Sequence, residues 1–228
     1  TFKKALGGLG HKGGDLRTEK DLSIKWAMVV VVLVALALVL IPSVPISIIA
    51  AIIIIIFGFF FATVSSRMVG LVGSSNNPVS GMAIATLLFA TMILKATGKT
   101  GIQGMTMAIC IGTVICIIAA MAGDTSQDLK TGYIVGATPY RQQIGELIGA
   151  VCAGLAIAGV LMLLDSAWTF GTDKLPAPQA TLMKMVTEGV MEGNLPWNLV
   201  FIGVFLAIGL EILRIPVMPV WLWRSLRR

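Results

Sequence analysis

Charge is what this sequence has least of. Only 12% of its 228 residues are Asp, Glu, Lys or Arg, about half the share of a soluble globular domain, whereas 57% are hydrophobic. A soluble fold of this length has no interior large enough to hide that much apolar surface. Histidine is nearly absent: His11 stands alone, so no His-built site for a bare transition metal can be assembled, and any metal handled must arrive already chelated. Cys110, Cys116 and Cys152 form no CxxC pair and no disulfide framework; they sit in apolar runs, where they act as small hydrophobic residues. A nucleophile elbow, a P-loop, an HExxH helix and a pair of catalytic carboxylates are all missing, so nothing supports an enzyme, and no cofactor is expected.

What the sequence has is long stretches without an ionisable side chain. Lys25 and Arg67 enclose 41 such residues. As one helix they would extend roughly 60 Å, about twice the hydrocarbon thickness of a bilayer, so they must be two spans, with Pro42 and Pro45 marking the turn. Met68 to Leu94, Thr100 to Gly123, Leu147 to Leu164 and Gly193 to Leu210 are also charge-free. The expectation is an all-α, polytopic membrane helix bundle of about six transmembrane helices, over roughly 24 to 41, 46 to 64, 78 to 94, 101 to 122, 144 to 164 and 197 to 213. A soluble six-helix protein fits poorly, because its helices would carry polar faces.

Six crossings put both termini on one side. The N-terminal tail, a turn at Arg67, the 123 to 143 loop and the C-terminal end then hold 13 of the 17 Lys and Arg residues. The positive-inside rule makes that side cytoplasmic, in a multi-pass protein of the cell (plasma or inner) membrane. The net charge of +6 is therefore a topology and lipid-headgroup signal, and no nucleic acid is expected as a partner. Residues 1–23, Gly-rich and charged, read as a cytoplasmic linker, 24–220 as the transmembrane domain, and 221–228 as an atypical basic end. There is no initiator Met and no signal-peptide cleavage pattern, so a piece of something longer is expected. Thr181 to Met191, with Lys184 and Glu188 at i,i+4, reads as an interfacial helix.

Two polar segments interrupt the apolar pattern. Ser74-Ser-Asn-Asn-Pro78 cannot face lipid, which satisfies no amide or hydroxyl, so it must line a wet cavity or be buried, unless it is an extramembrane turn. Pro78 disfavours helix at Asn77, so a helix is expected to begin there, with Ser or Asn as its cap. Its N-terminus would suit an anionic group such as a carboxylate. In Gly123-Asp-Thr-Ser-Gln-Asp-Leu-Lys130, Asp124 and Asp128 are a helical turn apart beside Gln127, with Lys130 further on. They could bind a cation or a coupling proton, or form a solvated loop with Asp124 as N-cap. Glu146 and Glu211, near the ends of the last two spans, could carry a proton or pair with Gln142 and Arg214. Gly132/Gly136 and Gly145/Gly149 fit the small-xxx-small pattern of close helix contact.

Taken together, Gly73-Ser-Ser-Asn-Asn-Pro-Val-Ser-Gly81, Gly123 to Pro139, Gln142 to Gly149 and Gly209 to Pro219 resemble the oligopeptide transporter family, which includes the yellow-stripe-like carriers of metal chelates. The resemblance implies proton-coupled uptake of small peptides or peptide-like metal chelates by alternating access, in a longer, repeat-built fold of which this chain matches part of the C-terminal half. It implies Ser74, Ser75, Asn76, Asn77, Pro78 and Gly81 as substrate contacts, and Asp124, Gln127, Asp128, Lys130, Glu146 and Glu211 in proton coupling or gating. Expected partners are the lipid bilayer, substrate, protons and a chain supplying the missing helices. The alternatives are a non-transporting membrane subunit and a passive channel.

Overall fold

A computed structural model describes residues 16–42 and 44–213. Its helices are α1 (Ile24–Leu40), α2 (Ile48–Val72), α3 (Val79–Ala96), α4 (Gly101–Val135), α5 (Pro139–Trp168), α6 (Pro178–Glu192) and α7 (Trp197–Ile212). Among the described residues the one extended pairing is an isolated bridge, Thr172 to Leu175, in the loop before α6.

Turn chemistry accounts for most of the boundaries. The Ser47 hydroxyl accepts the Ala50 N–H at 3.3 Å and starts α2. Gly136 and Gly193 stop α4 and α6 with φ of +74° and +80°, the left-handed backbone that glycine adopts without strain. Pro139 and Pro178 open α5 and α6, where their missing N–H leaves no intrahelical bond unmade.

The core is the pair α2 and α4, which run parallel at a fixed offset. Ser47 meets Met107, Gly58 meets Ile118, Ser66 meets Ser126, and Gly70 meets Lys130. Helix α3 returns antiparallel against both, with Leu87 seated over Gly112, and Ala50, Ile53, Leu94, Ile111 and Ile115 fill the space between. Helix α6 packs Thr187, Val190 and Met191 onto the far end of α3 and α4, carrying the expected Lys184–Glu188 ion pair at 3.5 Å. It meets α7 at a bend of 117°. The Lys95 ammonium donates to the Val190 carbonyl at 2.8 Å, a cation on the last turn of α6. Lys95→Met should loosen α6 alone, seen as about tenfold faster amide exchange at Val190 and Met191 against unchanged exchange in α2; equal exchange in parent and variant would contradict this.

Helices α1 and α5 bury no residue within the chain, and Leu155 and Met162 are 73% and 76% exposed. Only lipid or other apolar protein can cover such surfaces. Among the described residues five helices are long and apolar enough to cross a membrane, six if the bent pair α6 and α7 counts as one span. This is a multi-pass, all-α membrane protein.

Several expectations change. Arg67 lies inside α2, not in a turn, because a long cation near a helix end can reach the interface without ending the helix. Residues 123 to 135 are not a loop: α4 runs on for 35 residues, about 52 Å, well beyond the ~30 Å hydrocarbon layer. Nor is residue 23 the end of a free linker, since Arg17 donates to the Gly136 carbonyl at 2.8 Å and Leu22 N–H to Gln143 Oε1 at 2.7 Å. Residues 1–15 and 214–228, with most of the Gly-rich tail and the basic end at 221–228, lie outside the described residues.

Candidate functional site

The polar end of α4 is clasped between α2 and α5. On one side Ser126 Oγ donates to the Ser66 carbonyl at 2.7 Å, Gln127 Oε1 accepts the Ser74 N–H at 2.9 Å, and the Lys130 ammonium donates to the Gly70 carbonyl at 2.5 Å. The last of these places a cation on the C-terminal turn of α2, where carbonyls lack intrahelical partners. On the other side Thr125 Oγ1 donates to Glu146 Oε2 at 2.7 Å, and Gln142 Nε2 to the Asp128 carbonyl at 3.2 Å.

The break between α2 and α3 is tied to the same layer. Ser74–Asn76 form one 3-10 turn, and Pro78 takes the N-cap position of α3. No side chain caps that helix, contrary to expectation. The Asn77 amide turns instead into the seam, donating to Ser65 Oγ at 2.7 Å and the Ala119 carbonyl at 3.3 Å; Ser65 Oγ donates to that carbonyl at 2.5 Å. Gly123 makes the space for it: a Cβ there would stand 2.6 Å from Asn77 Nδ2 and 2.9 Å from Val69 Cγ2. Asn77 is thus a strut between α2 and α4. Asn76 and Pro78 are half-buried beside it, while Ser74, Ser75 and Gly81 are exposed.

Asp124, Gln127, Asp128 and Lys130 are exposed, and Asp124 is mid-helix, so it caps nothing. Asp124 and Asp128 continue a stripe begun by Ile117 and Met121. Glu146 bonds Thr125 and not Gln142. The Glu211 side chain and Arg214 lie outside the described residues. Gly145 and Gly149 face open space among the described residues, with nothing within 4 Å of where a Cβ would stand, and Gly136 is a helix stop; only Gly132 is in close contact, with Gln142. The small-xxx-small expectation is corrected on these grounds.

Glu146 also lines a cleft of about 760 Å³ walled by α1, α2, α4 and α5. Ser74 to Pro78 are not among its lining residues. Three buried oxygens in this layer, Asn77 Oδ1, Gln142 Oε1 and Glu146 Oε1, have no hydrogen-bond partner among the described residues. All three are acceptors, so the layer has an excess of acceptors over donors. The sequence reading missed Ser65, Ser66, Thr125 and Ser126; hydroxyls inside apolar runs were the available signal.

The OPT oligopeptide transporter protein family model matches residues 11–226. This chain belongs to that family. Over 228 aligned residues, 86% of the chain, it is 31% identical to a Haemophilus influenzae protein named as an oligopeptide transporter, and covers 36% of that relative. A Saccharomyces cerevisiae protein named likewise is 28% identical over 160 residues, 68% of the chain and 21% of the relative. The chain therefore spans about a third or less of the length of the relatives it matches. No solved structure matches it significantly. In this OPT family member, the clasp of α4 between α2 and α5 is the structural setting of both polar segments.

Proposed function

We propose that this chain forms part of a secondary active transporter that moves oligopeptides or peptide-like metal chelates across the cell membrane, coupled to protons. The observation that carries the reading is the polar layer itself: hydroxyls, amides and carboxylates from α2, the 74–78 break, α4 and α5 gathered in a helix bundle whose outer faces suit lipid. Interrupted helices at membrane depth are how many transporters build substrate sites. Family membership supports transport over a passive channel or a non-transporting subunit. In this reading the exposed Ser74, Ser75 and Gly81 side of the break meets substrate, with Asn76, Asn77 and Pro78 holding its shape. No enzymatic step is assigned.

Asp124 and Asp128 carry the coupling proton, with Gln127 and Lys130 fixing their helix to α2, and Glu211 is held in reserve for the same role. Carboxylates on a stripe continuous with Ile117 and Met121 cannot face hydrocarbon, so water or further protein covers that stripe. In this reading the side that holds Arg17, Lys20, Lys130 and Arg141 is cytoplasmic; the docking of Arg17 and Lys20 beside Gly136 and Tyr140, which gathers these cations at one end of the bundle, supports it.

The test is peptide uptake into proteoliposomes with and without an inward proton gradient. The gradient should raise parent uptake at least tenfold, and Asp128→Asn should cut that dependence to under about threefold while leaving protein insertion intact. Uptake indifferent to the gradient removes proton coupling, and an Asp128→Asn profile overlaying the parent removes Asp128 from it.

A further inference from the structure

We infer that the cleft beside Glu146 binds the free α-ammonium group of a short apolar peptide; this rests on the transport reading above. The argument comes from what the cleft wall can still accept. Among the described lining residues Glu146 is the only ionisable side chain, with no Lys, Arg or His to neutralise it. The other polar groups of the wall are already committed. Thr63 donates to the Phe59 carbonyl, Ser66 to the Thr63 carbonyl, Ser126 to the Ser66 carbonyl, and Gln143 accepts the Leu22 N–H. The hydroxyls keep only neutral lone pairs, so the one anionic acceptor on the described wall is the Glu146 carboxylate, whose Oε1 is buried and without a donor among the described residues.

A ligand that completes this site must bring a positive charge and a donor. The volume, about 760 Å³, is that of a small-molecule pocket, and most of the lining is Leu, Ile, Ala, Met and Phe, so the rest of the ligand must be apolar. Because Thr125 holds Oε2, a planar guanidinium cannot take both oxygens, and a compact ammonium with a single contact fits better. Glu146 is itself a lining residue, so a ligand entering the cleft meets this carboxylate at its wall. With no cation among the described lining residues, the negative charge selects a free amino terminus over a blocked one. Asp124 and Asp128 do not line the cleft, so proton and ammonium occupy different carboxylates.

The probe is radiolabelled trileucine against N-acetyl-trileucine, bound to the protein in phosphatidylcholine nanodiscs at pH 6.5, where an α-amino group is protonated. The free-amine peptide should bind roughly tenfold or more tighter than the acetylated one, and Glu146→Gln should erase that difference without weakening the acetylated peptide. Glutamine still accepts from Thr125, so the variant keeps the helix contact; if it fails to fold, the discrimination by the parent decides alone. Equal affinity for the two peptides, or loss of both on Glu146→Gln, overturns the inference. Displacement of trileucine when phosphatidylethanolamine replaces phosphatidylcholine also overturns it, assigning the cleft to a lipid amine. Amine-selective binding without uptake in proteoliposomes would refute transport and spare this site; uptake without amine selectivity would do the reverse.

Discussion

Gly123→Val should destabilise the protein by roughly 3 kcal/mol, at the upper end of ordinary overpacking. Three elements close on this glycine. A Cβ there would lie 2.6 Å from the Asn77 amide nitrogen, 2.9 Å from Val69 Cγ2 and 3.0 Å from Ser65 Oγ. Asn77 cannot retreat without giving up both Ser65 and the Ala119 carbonyl, and Val69 is packed in the core. The remaining relief is separation of α2 from α4, the central contact of the bundle. Thermal unfolding in detergent measures this, with Gly145→Val as the control, since nothing lies within 4 Å of its built Cβ. The control should stay within about 0.5 kcal/mol of the parent. Equal losses in both variants would mean that the seam is not closed as described.

Asn77→Asp should cost more than Asn77→Ala, on the order of 3 kcal/mol against about 1 to 2. Alanine deletes two donated hydrogen bonds. Aspartate at pH 7 replaces the donor with an anionic oxygen aimed at the Ala119 carbonyl, in a half-buried notch. A protonated carboxyl has a donor again, so folding favours the neutral form of the introduced group and raises its pKa above the unfolded value. The stability it allows is present at low pH and lost as pH rises through that raised pKa. Melting temperatures of Asn77→Asp should therefore approach the parent near pH 4 and fall by pH 7, with uptake falling in parallel. A melting curve independent of pH, or equal to that of Asn77→Ala, would show that the amide does not bridge the helices.

The helices were legible because apolar runs with proline or glycine punctuation admit few other structures, and α1, α3 and α7 begin and end within a residue or two of the apolar pattern. Three helices, α2, α4 and α5, run past their expected ends. Arg67 looked like a turn because charge was read as an exit from the membrane, and Gly123 looked like a helix break when its missing Cβ is what admits Asn77. The chemistry of the break was half legible. That Ser74 to Pro78 needs a protein or water environment follows from composition, but the Asn77 partners lie 12 and 42 residues away, and no local pattern points to them. Glu146 was visible as an ionisable residue at the end of a span. Its Thr125 partner, across the α4–α5 turn, was not, since the turn seemed to be a long loop.

The central proposal is that the exposed side of the break between α2 and α3 meets water and substrate. Its most direct test is labelling of Ser75→Cys and Gly81→Cys by a membrane-impermeant maleimide, in a background with Cys110, Cys116 and Cys152 replaced by alanine, with and without trileucine. Both positions should react at least tenfold faster than Leu155→Cys on the apolar face of α5, and trileucine should slow them severalfold. Labelling as slow as at Leu155→Cys, or untouched by peptide, would contradict the account.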